Sequence, residues 1–215
     1  MNIICNVLTQ TEGDVFINGI NLREHPIEAK KFIGFLPQKA PLHTEMTVDE
    51  YLYHCADIRL MPKKEIPKAM ERAKEKCGIT HFSKRQIRNL SGGYQQRVGI
   101  AQAIIHNPLF VILDEPTNGL DPNQIVEVRR LIREIAKDRA VLISTHILPE
   151  VQAVCDYIMM IEHGQKVFEG TINAFNTYMS PSALLTIMHN APSSEEFMKI
   201  EGVVRVERLA YSCTL

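Results

Sequence analysis

A serine and two glycines at the start of a predicted helix have the composition of a phosphate-binding segment. Ser91, Gly92 and Gly93 precede residues whose apolar side chains recur at helical spacing. Backbone N–H groups at a helix start carry partial positive charge, glycine lets an anion approach them closely, and the Ser91 hydroxyl can add a donor. Taken alone, Ser-Gly-Gly is more typical of an ordinary helix N-terminus.

Two adjacent carboxylates form the second segment that could do chemistry. Asp114 and Glu115 directly follow the apolar run Phe110–Leu113, and α/β proteins place ligands at the carboxyl edge of a parallel sheet. One carboxylate can hold Mg²⁺, directly or through water, and the next can orient or deprotonate a water that attacks phosphorus. A strand that runs into a solvated acidic turn is the alternative interpretation of this segment alone.

The elements around these residues alternate as in a parallel α/β sheet. Apolar periodicity predicts helices that begin at Ser91 and at Pro122, and a short helix over Leu148–Val154. Fully apolar runs predict buried strands between them. These strands are Leu109–Leu113, Ala140–Ser144 and Tyr157–Ile161, the last turning back at His163-Gly164 into Lys166–Phe168.

The first ninety residues predict a hairpin, a strand and a helical insert. Asn18-Gly19 between apolar pairs is typical of a type I′ turn. A strand is expected over Phe32–Leu36, and a capping box at Thr47–Glu50 begins a mostly helical insert. We also expect the end of a helix over residues 1–8, and strand, helix and strand over residues 183–188, 194–200 and 203–209.

Composition excludes several classes of protein and site. The net charge of −1 gives no electrostatic reason to expect a nucleic-acid partner. No apolar run approaches the roughly 20 residues that a membrane-spanning helix needs, and the N-terminus has no secretory signal. The five cysteines are scattered without a C-x-x-C pair, which favours reduced thiols over a disulfide framework or a zinc site.

The order of these segments resembles the ATP-binding cassette of ABC transporters. The resemblance covers Ile33 to His146 and rests on five motifs in the family's order. Leu90–Gln95 resembles the signature sequence, Phe110–Asp114 the Walker B strand with Glu115 as catalytic glutamate, Gly119–Pro122 the D-loop, His146 the switch histidine and Gln38 the Q-loop glutamine.

The resemblance implies a fold and a domain organisation. The fold class is α/β: a RecA-like P-loop NTPase core with a mostly parallel sheet, a helical subdomain over about residues 47–90 and a partial antiparallel β subdomain. The nucleotide-binding domain would cover residues 1–180, and residues 181–215 would be a partial C-terminal appended segment.

The resemblance also implies roles for the site residues, with ATP and Mg²⁺ as cofactors. Glu115 would polarise the attacking water and His146 would contact the γ-phosphate. Asp114 and Gln38 would hold magnesium. The further nucleotide-binding residues would be Ser91, Gly92, Gly93, Gln95 and Asp121.

Partners and location follow from the same resemblance. Cassettes of this family pair head to tail, as homodimers or heterodimers, so the signature segment would serve a partner's ATP. Transmembrane permease subunits would place the chain in the cytoplasm on the inner face of the membrane, where it powers export. The sequence looks most like single-cassette drug, polysaccharide or gliding-motility exporters. Two alternatives stay open: a non-transport cassette acting on ribosomes, DNA repair or iron–sulfur assembly, and a non-catalytic half that only donates its signature.

The phosphate-binding loop of such ATPases, G-x-x-x-x-G-K-[ST], does not occur among the 215 residues. The resemblance therefore predicts that Met1 is an internal methionine of a longer protein whose first strand and loop lie upstream. A truncated gene, a misplaced start or a trimmed chain would each give this sequence. We expect this chain alone to bind MgATP very weakly, because the loop's lysine and amides are the main counter-charge of the triphosphate.

Overall fold

The computed structural model describes residues 1–179, 193–200 and 206, and the chain divides into two compact units, Met1–Ile172 and Asn173–Leu215. All the candidate site residues lie in the first unit. Its strands are β1 (Phe16–Ile17), β2 (Ile20–Asn21), β3 (Ile33–Leu36), β4 (Phe110–Asp114), β5 (Ala140–Ser144), β6 (Tyr157–Glu162) and β7 (Gln165–Thr171). The helices of the described residues are α1 (Pro26–Lys30), α2 (Val48–Ile58), α3 (Ile66–Cys77), α4 (Gly92–Ile104), α5 (Pro122–Ala136), α6 (Leu148–Val154), α7 (Ile172–Met179) and α8 (Ser194–Phe197).

A three-stranded parallel sheet in the order β3-β4-β5 carries the fold. Phe110 pairs with both Ile33 and Ala140, and the register continues without a break to Leu36 on one side and Ser144 on the other. The three strands therefore end together at one edge. This confirms the α/β fold class and the parallel sheet predicted from the apolar runs.

Both faces of β4 are buried, which explains why its sequence is continuously apolar. Val111 and Leu113 face one core cluster, which also contains residues of α2 to α5. Ile112 faces a second cluster with Ile33 and Leu22. Side chains alternate between the two faces of a strand, so one strand supplies both clusters.

Helix α4 lies directly against β3, and Gly34 makes this contact possible. A Cβ atom at Gly34 would lie 2.1 Å from the backbone oxygen of Ala103 in α4. The Gln102 side chain also donates a hydrogen bond of 2.8 Å to the backbone oxygen of Phe35. The helix that begins with Ser91 is thereby fixed to the strand that leads to Gln38.

Local signals in the sequence set the helical insert. Thr47 and Glu50 form the predicted capping box: the Glu50 N–H donates to Thr47 Oγ1 at 3.3 Å, and the Thr47 N–H donates to Glu50 Oε2 at 2.8 Å. Helix α3 ends at Gly78, whose φ of 64° is the left-handed conformation that glycine adopts without strain. Buried Tyr51 and Leu52 join the insert to the main cluster.

The hairpin predicted at His163-Gly164 is confirmed, because β6 pairs antiparallel with β7. The expectation that Tyr157–Ile161 also extends the parallel sheet was wrong, since β6 and β7 form a separate two-stranded sheet. The turn between them, His163-Gly164, has two positive φ angles and so favours pairing with the next segment of the chain. Residues 1–8 form turns with the hydrogen bonds of the predicted helix end: the Cys5 N–H donates to the Met1 backbone oxygen at 3.2 Å, and the Val7 N–H donates to the Asn2 backbone oxygen at 2.8 Å across Asn6, whose left-handed φ of 54° is typical of a helix C-terminus.

The second unit is described only in part. Helix α8 starts with a capping box between Ser193 and Glu196, which confirms a helix within the predicted segment 194–200. The strands predicted over residues 183–188 and 203–209 lie outside the described residues, apart from residue 206. The division into domains at residues 180 and 181 stays a prediction. Among the described helices, none has the length and apolar character needed to span a membrane.

Candidate functional site

The predicted site residues gather where the three parallel strands end. Leu36 pairs with Leu113, and Asp114 pairs with Ser144. Strands β4 and β5 therefore end side by side, and β3 ends one residue earlier. Gln38 lies exposed two residues beyond the end of β3. The structure thus brings the loops with Gln38, with Asp114 and Glu115, and with His146 to one edge.

Asp114 is the last residue of β4, and the neighbouring strand holds its carboxylate. The Ser144 hydroxyl donates a hydrogen bond to Asp114 Oδ1. This contact restricts rotation of the carboxylate about its own bonds. Asp114 and Gln38 supply carboxylate and amide oxygen atoms from adjacent strand ends, which are the ligand types that Mg²⁺ takes in proteins.

Glu115 leaves the strand with its backbone in the left-handed region, at a φ of 49°. This conformation is rare for residues other than glycine, and such residues cluster at functional sites. The Glu115 N–H still donates to the Ser144 backbone oxygen at 3.0 Å, so the turn is anchored to β5. Glu115 Oε2 is buried and has no hydrogen-bond partner within the described part of the chain.

His146 contacts Glu115 directly. Its Nδ1 atom lies 2.8 Å from Glu115 Oε1, although 73% of the His146 side chain is exposed. The hydrogen bond to Glu115, followed by the negative charge of that carboxylate, raises the pKa of His146 above its ordinary value of 6.5. Two loops that lie thirty-one residues apart in sequence thus meet at an acid–base pair.

The start of α4 forms a second part of the predicted site. Ser91 takes the N-cap place of α4, but its side chain makes no capping hydrogen bond. Ser91 and Gly92 are exposed, and a Cβ at Gly92 would meet only Leu120, at 3.9 Å. Gly93 is different, because a Cβ there would lie 2.7 Å from the Gln124 side chain. Packing against α5 is therefore one reason for glycine at this place.

Gln95 and Asp121 both have structural contacts. The Gln95 amide group donates to the backbone oxygens of Ile87 at 3.2 Å and Leu90 at 3.1 Å, which fixes the segment before α4. Asp121 caps α5, since its Oδ1 accepts a hydrogen bond of 3.0 Å from the Gln124 N–H. Because the Gln124 side chain also packs against Gly93, the starts of α4 and α5 are adjacent.

One contact joins the two parts of the site. The side-chain amide of Gln96, in the second turn of α4, donates a hydrogen bond of 2.8 Å to the backbone oxygen of Pro116. Pro116 directly follows Glu115. Helix α4 and the segment that carries the paired carboxylates are therefore linked through Gln96 and Pro116.

Sequence reasoning missed a group of polar residues around a buried carboxylate. Glu150 in α6 is only 5% exposed and accepts hydrogen bonds from the hydroxyls of Thr117 and Thr145. Ser144, which binds Asp114, was also missed. Hydroxyl residues on either side of a predicted strand end are a weak signal for Ser144 and Thr145, but nothing in the sequence spacing relates Thr117 to Glu150, thirty-three residues away.

Comparison with known proteins identifies the family. Residues 1–118 match the ABC transporter family. The ABC transporter ATP-binding protein YxlF of Bacillus subtilis is 32% identical over 172 residues, which cover 80% of this chain and 57% of YxlF. NatA, an ABC transporter ATP-binding protein of the same organism, is 30% identical over 81% of this chain and 72% of its own length. The bacitracin transport ATP-binding protein BcrA of Bacillus licheniformis is 35% identical over 79% of this chain and 55% of BcrA.

Solved structures give the same result. CbiO1 of Clostridium perfringens, part of the ABC transporter complex CbiONQ, superposes with a TM-score of 0.74 at 25% identity, over 82% of this chain and 72% of its own. The ATP-binding cassette MJ0796, a dimer bound to ADP and phosphate, gives a TM-score of 0.68 at 25% identity over 80% of this chain and 78% of its own. The chain spans little more than half the length of YxlF and BcrA. With the motif order, the sheet edge and these matches in agreement, the chain belongs to the ABC transporter family, as an ATP-binding domain.

Proposed function

We propose that this chain is the ATP-binding and ATP-hydrolysing subunit of an ABC transporter that powers export. The observation that carries the proposal is the contact of 2.8 Å between Glu115 and His146, beside Asp114 at the carboxyl edge of the sheet. A carboxylate with one oxygen bound to His146 and the other buried without a partner is suited to accept a proton from water.

The roles of the residues follow from their places at this edge. Glu115 orients the attacking water through its unpartnered oxygen, and His146, with its raised pKa, presents a donor to the terminal phosphate. Asp114, held by Ser144, and Gln38 would hold Mg²⁺, which would neutralise charge on the phosphates when bound. Asp114 and Gln38 both offer oxygen atoms as metal ligands, which is the kind of ligand that Mg²⁺ takes in proteins.

The signature segment would act on the nucleotide of a second cassette. Ser91 and Gly92 are exposed and open to a ligand at the start of a thirteen-residue helix, where backbone N–H groups attract anions. MJ0796 is described as a dimer, which supports a head-to-tail pair, either homodimeric or heterodimeric. CbiO1 belongs to a transporter complex, which supports permease partners and a place on the cytoplasmic face of the membrane.

The chain by itself should bind MgATP weakly. Its 215 residues contain no G-x-x-x-x-G-K-[ST], so the described site has no loop lysine to balance the triphosphate. Isothermal titration of this chain with MgATP at millimolar concentration checks the prediction. Micromolar binding would show that other residues supply the counter-charge.

The test of the function is ATP hydrolysis by the assembly that co-purifies with the tagged chain. Gly92→Asp puts a negative charge at an open, exposed place on the signature segment, where the helix start tolerates an acidic residue. Glu115→Gln removes the proposed base. Glu134→Gln, an exposed carboxylate in α5, is the matched control.

The pattern of effects separates the candidate functions. If the chain is a catalytic subunit and the assembly supplies the phosphate-binding loop, both Gly92→Asp and Glu115→Gln should lower phosphate release by about 100-fold or more while the assembly persists. A half that only donates its signature predicts loss with Gly92→Asp alone. Full activity in both variants refutes the proposal. Co-purification of permease subunits supports transport, whereas ribosomes or DNA would support the non-transport alternative.

A further inference from the structure

Glu150 is a buried carboxylate whose two oxygens bind two different loops. Its Oε1 accepts a hydrogen bond from the Thr117 hydroxyl, and its Oε2 accepts one of 3.1 Å from the Thr145 hydroxyl. The Arg129 guanidinium lies 3.9 Å from Oε1 and offsets part of the negative charge. Only 5% of Glu150 is exposed, so these groups replace its hydration.

Thr117 belongs to the loop that carries Glu115. The turn there is tight, since the Asn118 N–H donates a hydrogen bond of 3.1 Å to the Glu115 backbone oxygen. Thr117 lies inside this turn, between the two hydrogen-bonded residues. Holding the Thr117 side chain therefore holds the turn that aims the Glu115 carboxylate.

Thr145 belongs to the loop that carries His146. Its Oγ1 accepts a hydrogen bond of 3.1 Å from the Ile147 N–H, so Thr145 and Ile147 form a local turn with His146 between them. The same hydroxyl donates to Glu150. The chain of contacts from Ile147 through Thr145 to Glu150 fixes the direction in which His146 leaves the backbone.

A carboxylate is chemically suited to this task. Two threonine hydroxyls can each donate a proton, and an ionised carboxylate only accepts, so both bonds form without competition. Hydrogen bonds to a charged acceptor are also stronger than neutral ones. A buried charge is costly unless it is used in this way, and packing alone would be served by an apolar residue.

We propose that Glu150 is a positioning residue that holds Glu115 and His146 in register with each other. Its side-chain carboxylate accepts hydrogen bonds from Thr117 and Thr145, and it positions the two loops through these threonines. The inference rests on the proposed function for its biological meaning, because Glu115 and His146 are the proposed water-activating pair. The geometric claim itself concerns two loops of this chain, so it can be tested without nucleotide.

Amide hydrogen exchange of the 215-residue chain, followed by NMR, tests the proposal. Glu150→Gln keeps the size of the side chain but removes the charge and one acceptor. We expect the Asn118 and Ile147 amides to exchange about tenfold faster or more, while the strand amides of Val111 and Leu142 change little. The ¹⁵N shift of the His146 ring is measured in Thr117→Val, which keeps the Glu150 carboxylate, because the negative charge of Glu150 itself contributes to the raised pKa of His146. Glu134→Gln is the control.

Each outcome decides the matter. Faster exchange in both loops of Glu150→Gln with an unchanged sheet, together with a changed His146 signal in Thr117→Val, supports the positioning role. Equal loosening of loops and sheet would show a general packing role, and no change in the loops would show that Glu150 does not hold them; either result overturns the proposal. If Glu150→Gln does not fold, Thr117→Val is used instead, and its effect is measured on the Ile147 amide exchange and the His146 ring shift in the opposite loop. Unchanged exchange and an unchanged ring shift there would also refute the proposal.

Discussion

Replacement of Gly34 by alanine should separate β3 from α4. The added Cβ would lie 2.1 Å from the Ala103 backbone oxygen and 3.0 Å from Pro108 Cγ. Non-bonded contacts are comfortable at roughly 3.5 Å, so the helix or strand must retreat by about 1 Å or more. The obstacle is backbone of a helix that cannot rotate away. Overpacking costs about 1–3 kcal/mol in ordinary cores, and we expect at least about 3 kcal/mol here.

Urea unfolding followed by circular dichroism measures this effect. With a slope of about 1–3 kcal/mol per molar urea, the midpoint for Gly34→Ala should fall by about 1 M or more. Gly92→Ala is the matched control, because its Cβ enters open space on a helix and should change stability by less than about 1 kcal/mol. A midpoint for Gly34→Ala within error of the unsubstituted chain would refute the packing argument.

Three further predictions concern single side chains. In Glu115→Gln, the pKa of His146 measured by NMR should fall towards its ordinary 6.5, since Glu115 is the main cause of the upward shift. In the unsubstituted chain, the stabilisation from this pair is fully present below the pKa of unfolded histidine. It is lost as the pH rises through the raised pKa of folded His146. Asp121→Ala should lower the free energy of unfolding by about 1 kcal/mol and Asp121→Asn by much less, because only alanine removes the oxygen that caps the Gln124 N–H. Burial raises the pKa of Cys77 to about 12, so in native protein near neutral pH its thiol should react with iodoacetamide far more slowly than in urea.

Each of these has a control and a contrary result. Glu134→Gln should leave the pKa of His146 unchanged, and an unshifted His146 in the unsubstituted chain would mean that the contact with Glu115 does not persist in solution. Equal stability of Asp121→Ala and Asp121→Asn would show that the cap contributes nothing. Rapid labelling of native Cys77 would contradict its burial.

Most of the local elements could be predicted because their signals are local. The capping box at Thr47 and the strand Ala140–Ser144 appear where the sequence places them. The Asn18-Gly19 turn likewise takes the two positive φ angles that its residues favour. The wrong prediction concerned the sheet that Tyr157–Ile161 joins. Its hairpin with the following segment was indicated by the local turn residues, whereas membership of the parallel sheet depends on distant pairing partners.

Motif order was enough to predict the family and the edge of the sheet that carries the candidate site. Motif order is a property of the chain, and parallel strands necessarily bring the residues after Leu36, Leu113 and Ser144 to one side. No comparable signal indicated that Gly93 packs on Gln124 or that Ser91 leaves its helix uncapped.

The way in which the candidate site residues face one another depends on the folded chain. The left-handed backbone of Glu115, its contact with His146 and the hold of Glu150 on two loops all depend on distances between segments about thirty residues apart. Such contacts leave no periodicity or spacing in the chain, because they form only after the sheet and α6 have brought the loops together. The sequence therefore predicted the candidate site residues, whereas packing fixed their geometry.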